Sequence, residues 1–396
     1  MKVDKNLREL ALLFLRLGAT SFGGPAAHIA LMEDEVVTRH KWLSRQQFLD
    51  LSGATNLIPG PNSTELAIHI GKHRAGWPGL IVAGAAFIFP AVLIVLALAW
   101  AYERYGSLPQ MRWLLYGVQP VVIAIVAQAL WKLARTALHG IFPIVVALVT
   151  ITLIAAGINE VTVIALAAGV GLIAGWLTQR SKPQTEISPT TDDADPSPEP
   201  PTSLPAIILL GSPAVLAAPT LTGIFLVFLK IGSVIYGSGY VLLAFLRADL
   251  VERLHWLTDQ QLVDAVAVGQ MTPGPVFTTA TFVGYQIAGV PGALAATVGI
   301  FLPSFLFVGF LSLIMERLRD SPMMRVFLDS VNAASLALMA VVTFELLRIA
   351  VIHDQRLDLF TVAIALGTLA LLLLSRVNSA WLIAGGAVLG WLAHAL

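Results

Sequence analysis

The sequence predicts an all-α polytopic membrane protein built from two homologous halves, and three observations carry this. Of the 396 residues, 57% are hydrophobic and only 12% charged, against about one quarter charged in soluble domains; the mean hydropathy is +0.81. Four windows, 77–102, 113–131, 290–315 and 377–393, contain no charged residue, and a helix crosses the hydrocarbon core in about 20 apolar residues. Finally, motifs of the first half return in the second at a fixed offset of 214 residues.

Composition also narrows the function. There are no cysteines, so disulfides and thiolate metal sites are ruled out. Net charge is zero with no basic block, which gives nucleic acid no footprint. The start, Met1 to Lys5, lacks a small-residue cleavage site, so no removable signal peptide is expected.

Taken in order, an apolar segment at 7–24 carries Arg16 and ends in Ser21-Phe22-Gly23-Gly24-Pro25. A polar stretch, 33–41, includes Glu33-Asp34-Glu35 and Arg39-His40-Lys41. Ser44 is placed to cap a segment at 45–58. That segment runs into Pro59-Gly60-Pro61, followed by Asn62, Ser63 and Thr64. Proline lacks an N–H and keeps the residue before it out of the α region, so Pro-Gly-Pro ends one helix and starts another. Asn62 or Ser63 is expected to cap a short piece reaching Gly71, before Lys72-His73-Arg74. Spans follow at 78–101, 112–137, 141–157 and 160–178. From 181 to 203 the chain turns acidic and proline-rich, a disordered linker dividing it nearly in half.

Beyond the linker the first half repeats. Phe14-Leu15-Arg16-Leu17-Gly18 answers to Phe228-Leu229-Lys230-Ile231-Gly232, Trp42-Leu43-Ser44 to Trp256-Leu257-Thr258, and Asp50 to Asp264. Pro59-Gly60-Pro61 answers to Pro273-Gly274-Pro275. After one deletion the register resumes with Gly76-Trp77-Pro78-Gly79 against Gly289-Val290-Pro291-Gly292. The expected domains are 1–180, the linker 181–203, and 204–396 with an extra leading apolar segment at 204–219; in total about 12–13 membrane segments. The basic loop Lys72-His73-Arg74 faces an uncharged partner, Tyr285-Gln286-Ile287, while Arg317, Arg319 and Arg325 enrich the partner of the 103–112 loop. That flip predicts inverted-topology repeats. Arg39-His40-Lys41 and the basic loop at 348–356 resist it, unless a broken segment re-enters rather than spans.

Phe22-Gly23-Gly24-Pro25-Ala26-Ala27-His28-Ile29, the paired Pro-Gly-Pro breaks, Gly239-Tyr240-Val241, Gly269-Gln270-Met271-Thr272 and Thr279-Ala280-Thr281-Phe282 together resemble the chromate ion transporter (CHR) family in its long two-domain form. The resemblance covers both halves. It implies a multi-pass protein of the bacterial inner membrane that transports chromate, with efflux conferring resistance in many members, and sulfate as a related anion. The first half departs from the family pattern at Asn56, where glutamine is usual, and at Glu65.

The residues suit a tetrahedral dianion. Helix N-termini present free N–H groups and partial positive charge. Pro61 with Asn62, Ser63 and Thr64 offers one such end, and Pro275 with Thr278 a second. Gly23, Gly24, Gly237 and Gly239 let backbone approach a ligand, and in an inverted repeat the four breaks would converge near the midplane. The expected anion site therefore comprises these residues with Asn56, Pro59, Gly60, Gln270, Pro273 and Gly274. Arg16 and Lys230 are expected to attract the anion, against snorkelling to the interface. His28 binds the anion when protonated, relays protons, or is an ordinary interfacial histidine. Glu65 and His69 share a helical face with His73; they form either a proton relay or a static pair. Asp50 and Asp264 either face a watery vestibule or pair with Arg45 or Gln47. No nucleophile, metal-ligand or cofactor constellation suggests an enzyme. The expected function is secondary active export of chromate, driven by potential or protons. A sulfate carrier and an anion channel are the alternatives, and the partners are the anion, lipid and, in one arrangement, a second copy.

Overall fold

The computed structural model describes residues 2–22, 24–106, 108–180, 219–237, 239–311, 321–353, 356–375 and 377–395. The expected linker and nearly all of the apolar segment after it lie outside these residues, as do Gly23, Arg317 and Arg319.

In the first half α1 (Lys2–Thr20) and α2 (Gly24–Glu33) lead into a π-helical turn, Asp34–Arg39. Then come α3 (Arg45–Thr55), α4 (Asn62–Tyr105), α5 (Pro109–Ala137), α6 (Ile141–Ala155) and α7 (Glu160–Arg180). The second half repeats this with α8 (Leu221–Val234), a short 3₁₀ turn, α9 (Leu242–Leu246), a π-helical turn Arg247–Arg253, and α10 (Asp259–Met271). It continues with a 3₁₀ turn (Val276–Thr278), α11 (Thr279–Leu311), α12 (Pro322–Val351), α13 (Leu359–Leu374) and α14 (Ser379–Ala395). A two-residue hairpin, β1 (Ile352–His353) with β2 (Arg356–Leu357), joins α12 to α13. Among the described residues, α4, α5, α7, α12 and the 276–310 helix are long and apolar enough to cross a membrane; α6, α8, α13 and α14 are shorter apolar helices.

Equivalent positions share local chemistry. Ser44 caps α3 in a box with Gln47, and Thr258 caps α10 in a box with Gln261. Lys41 and His255, 214 residues apart, both sit at φ +52 just before these caps. At the start of α4 the expected side-chain cap is absent: Pro61 holds the cap position and makes no such bond, with Asn62 already in the first turn.

The longest apolar helices are folded in two. Ala75 and Gly76 leave helical geometry, as do Ala288 and Gly289. A Cβ on Gly71 would strike the Gly79 carbonyl, and one on Gly284 the Gly292 carbonyl. Eight residues apart along a continuous helix those atoms would be about 12 Å apart, so the chain reverses at each turn. Thr281 and Thr297 hydroxyls meet at 2.7 Å across the second reversal. The half-helix 62–74 is therefore roughly 20 Å long, short of the hydrocarbon core of about 30 Å. At its far end the Arg74 guanidinium lies 4.6 Å from the Trp42 ring, ahead of α3, and bonds Glu9 at 3.0 Å. Hence α3 enters and 62–74 leaves on one face, with Pro-Gly-Pro at the inner tip. Re-entry explains why Arg39-His40-Lys41 and Lys72-His73-Arg74 share a face. The membrane segments flanking the breaks do not each cross.

The halves are inverted. Trp77 packs on Phe310, Leu80 joins Val308, and Gly84 abuts Phe305. As one helix ascends from 77, its counterpart descends from 310. Equivalent helices that pack antiparallel belong to repeats of opposite topology. Beyond this seam the halves exchange partners: α6 and α7 pack on α12, while α13 and α14 pack on α5. One large apolar cluster joins residues from both halves.

Candidate functional site

Inversion brings the four chain breaks together. The Gly60 N–H donates to the Ile235 carbonyl at 2.8 Å, and the Gly274 N–H donates to the Ser21 carbonyl at 2.9 Å. Ser21 and Ile235 are themselves 214 apart, so each Pro-Gly-Pro tip bonds the glycine break of the other half. Gly60 has φ +140 and Gly274 φ +86, backbone that glycine adopts without strain. A Cβ at Gly60 would collide with Glu65 and Ser304, and one at Gly274 would lie 2.7 Å from Ala91. Pro59, Gly60, Pro61, Pro273, Gly274 and Pro275 are all buried.

The first cradle is polar. His28 is 1% exposed; its Nε2 lies 3.1 Å from the Ser21 carbonyl and its Nδ1 3.3 Å from Ser63 Oγ. The carbonyl can only accept, so Nε2 carries the hydrogen and Nδ1 accepts from Ser63. Ser21 thereby ties α2 to the opposite Pro-Gly-Pro tip. The Asn62 amide donates to Asn56 Oδ1 at 2.9 Å. Glu65 is fully buried and accepts from Ser304 Oγ of α11 at 3.3 Å, across the seam. Ser21 Oγ, Thr64 Oγ1, Glu65 Oε2 and His69 Nε2 are buried without a partner. These orphaned polar atoms of the first half, from the tip to His69 further along 62–74, mark a place prepared for something polar.

The second cradle is drier. Thr278 Oγ1 donates to Pro275 O at 2.8 Å, so this hydroxyl is turned onto its own turn rather than offered outward. Gln270 hydrogen-bonds the Tyr240 hydroxyl, and that hydroxyl lies 3.5 Å from where a Cβ on Gly24 would stand. A Cβ at Gly237 would approach Asn332 Oδ1 to 2.9 Å, and Gly239 packs by Phe277.

The two symmetric cations do not stand free. Arg16 bonds Glu35 at 2.6 Å, and Lys230 donates to Asp249 Oδ1 at 2.6 Å. Arg39 and Arg253 reach the same carboxylates at 3.0 and 2.9 Å. Glu35 and Asp249 are 6% and 3% exposed and also 214 apart. Each buried carboxylate thus clamps a π-helical turn between two cations. Sequence reasoning singled out the cations and missed these acids. Their shared offset was the available signal.

Asp264 faces a cavity of about 420 Å³ lined by Tyr102, Arg112, Tyr116, Gln119 and Gln260. It accepts from Tyr102 at 2.7 Å and Gln119 at 2.9 Å. Its counterpart Asp50 accepts from Gln46 at 3.1 Å. Asp264 meets the expected vestibule, while the Asp50 partner at 3.1 Å is Gln46, a neighbour of the expected Arg45 and Gln47.

Known proteins similar to this chain give its family. A family model described as "Chromate transporter" matches twice, over residues 8–172 and 222–391. A chromate transport protein of Cupriavidus metallidurans is 34% identical over 98% of this chain and 94% of its own. A probable chromate transport protein of Synechococcus elongatus is 32% identical over 83% and 82%. One from Pseudomonas aeruginosa is 30% identical over 97% and 92%. These relatives are named as transport proteins, not enzymes. No solved structure matches the chain. With long apolar helices, two inverted halves and a family model matching each, the chain is a multi-pass bacterial membrane protein belonging to the chromate transporter family.

Proposed function

We propose that the chain is a secondary active transporter that exports chromate across the inner membrane, with sulfate, its tetrahedral isostere, as competitor. The observation that carries this reading is the reciprocal pair of N–H···O bonds, Gly60 to Ile235 and Gly274 to Ser21. It ties four helix breaks of two inverted halves at one place, the arrangement in which alternating access works by rocking one repeat against the other. The anion is held between the tips by the half-helix N-termini at Pro61 and Pro275, with Asn56, Asn62, Ser63, Thr64, His28 and Gln270 adding polar groups. Gly24, Gly237, Gly239, Pro59, Pro273 and Thr278 shape the walls. Arg16 and Lys230, held by carboxylates, act at the entrances by position rather than as ligands.

Export has a ready driving force. An inside-negative potential favours outward movement of a dianion by about 2.3 kcal/mol per charge per 100 mV. Both cradles come from one chain, so a second copy would add no residue to the site. A channel would use the same breaks as a pore. Flux of radiolabelled chromate and sulfate into everted vesicles separates the readings: a carrier saturates and is lost in Pro61→Ala and Pro275→Ala. Neither anion moving, or normal flux in both variants, ends the proposal.

A further inference from the structure

We propose that Glu65 is a proton-binding site linked to the anion, so that the dianion occupies the first cradle only when this carboxyl holds a proton. The inference rests on the transport reading above and names the coupling ion for that site.

The geometry gives the ionised form one hydrogen bond and no ion-pair partner among the described residues. Glu65 lies in the first turns of 62–74, fully buried, beside Gly60 at the Pro-Gly-Pro tip. One oxygen meets Ser304 Oγ at 3.3 Å and the other meets nothing. Among the described residues no lysine or arginine forms an ion pair with it, while Glu35 and Asp249, buried to a similar extent, each take two. A buried charge without a partner is the costliest state of a side chain, and such groups take up a proton instead. An ionised carboxylate only accepts hydrogen bonds, while a protonated one also donates. The same side chain therefore repels a dianion in one state and can donate to it in the other.

Three titratable neighbours surround it. Tyr236 approaches from the loop after α8, and His28 from α2 through Ser63. His69 follows one turn later on the same helix, with a buried, unpartnered Nε2. α11 presents only the Ser304 hydroxyl. Lys72 lies beyond His69 near the basic face, its ammonium bonded to the Gly309 carbonyl at 2.6 Å and set over Trp77. His69 is thus the next titratable group between Glu65 and that face.

The second cradle holds no such group. Across the deletion, Glu65 corresponds to Thr278 or Thr279, and the partner of Ser304 is Ala91. One acid per chain implies one proton per dianion, and a net transfer of one negative charge rather than two.

The test is equilibrium chromate binding to the purified full chain and to Glu65→Gln, a neutral isostere, from about pH 6 to about pH 9. Chromate itself titrates in this range, so the readout is the ratio of the two dissociation constants at each pH. The ratio of wild type to variant should climb roughly tenfold per pH unit above the carboxyl's titration point, as linkage requires. A flat ratio, or a folded variant that binds at no pH while the wild type binds, overturns the proposal. Ser304→Ala removes the hydroxyl that supports the ionised form, and should move the wild-type fall to higher pH; an unmoved profile counts against the assignment. A substrate-free arm separates the two readings. The infrared stretch of a protonated carboxyl should persist at neutral pH and vanish in Glu65→Gln but not in Glu35→Gln. If chromate binds neither protein the transport reading fails, and absence of that band overturns the proton site by itself.

Discussion

At the first tip His28 bonds Ser63, and Glu65 faces Ser304. At the equivalent places of the second tip stand Leu242, Phe277, a threonine and Ala91, with Leu242 and Phe277 buried in the apolar cluster. Both halves keep a positive-φ glycine at the tip and a bond that crosses the seam, although the first continues as α-helix from Asn62 where the second makes a 3₁₀ turn at Val276–Thr278. What duplication preserved is therefore the device that breaks the helices and joins the halves. What diverged is the chemistry displayed there. One tip can specialise in polar contact while the other supplies shape, because inversion already brings both to the same place.

The hardest blow to this comparison falls on the shared device. Gly60→Ala and Gly274→Ala each force a Cβ into a left-handed backbone and an occupied space, at a strain of about 1–3 kcal/mol. Both should lose most chromate flux, measured per folded protein in vesicles. A tolerated alanine at either glycine would break the equivalence of the tips.

Next come the clamps. Asp249→Ala strands Lys230 and Arg253, whereas Glu35→Ala strands Arg16 and leaves Arg39 its second partner, Asp34, at 2.8 Å. Lys230 is 30% exposed against 52% for Arg16. The Asp249 variant should thus lose about 3 kcal/mol and the Glu35 variant less, since breaking a buried pair costs about 3–5 kcal/mol before solvent screening. Thermal unfolding in detergent reads the order.

A third change tests divergence itself. His28→Leu with Ser63→Phe rewrites the first cradle as the second. Stability should fall by about 1–2 kcal/mol, the cost of overpacking, while chromate affinity drops about tenfold, one lost hydrogen bond's worth. Unchanged affinity would mean that the polar tip is not where the anion binds.

The smallest effect sharpens the symmetry. Glu33 pairs with Arg45 at 3.6 Å, while the equivalent Arg247 and Asp259 pair at 2.8 Å with the signs exchanged. Reversing the first pair as Glu33→Arg with Arg45→Asp should restore to within about 0.5 kcal/mol what either single change loses, since exposed pairs contribute about 0–1 kcal/mol.

Much of this was legible in the chain. The breaks, the repeat and the spans show because proline, glycine and unbroken apolar runs act locally, and a constant offset needs no structure to be seen. The basic stretch Lys72-His73-Arg74 marked a boundary between the piece reaching Gly71 and the span at 78–101, but not that the chain folds back there, which only Gly71 meeting Gly79 shows. The clamps of Glu35 and Asp249 escaped for a related reason: one cation of each lies four residues downstream, but the other lies 19 residues upstream and comes near only once the chain folds back. Ser304 and the Tyr102–Asp264–Gln119 network join residues more than a hundred positions apart, which no local pattern encodes. The cations were visible without their partners and so looked free.

Opposed orientation of the two tips underlies all of these contrasts. The chain has no cysteines, so Lys41→Cys and His255→Cys can be made singly as the sole thiols. Both positions are exposed and share a backbone angle of φ +52, so the two substitutions carry equal strain. A membrane-impermeant thiol reagent applied to right-side-out and everted vesicles should label them from opposite faces. Labelling of both from the same face would contradict the inverted arrangement and, with it, the single site between the tips.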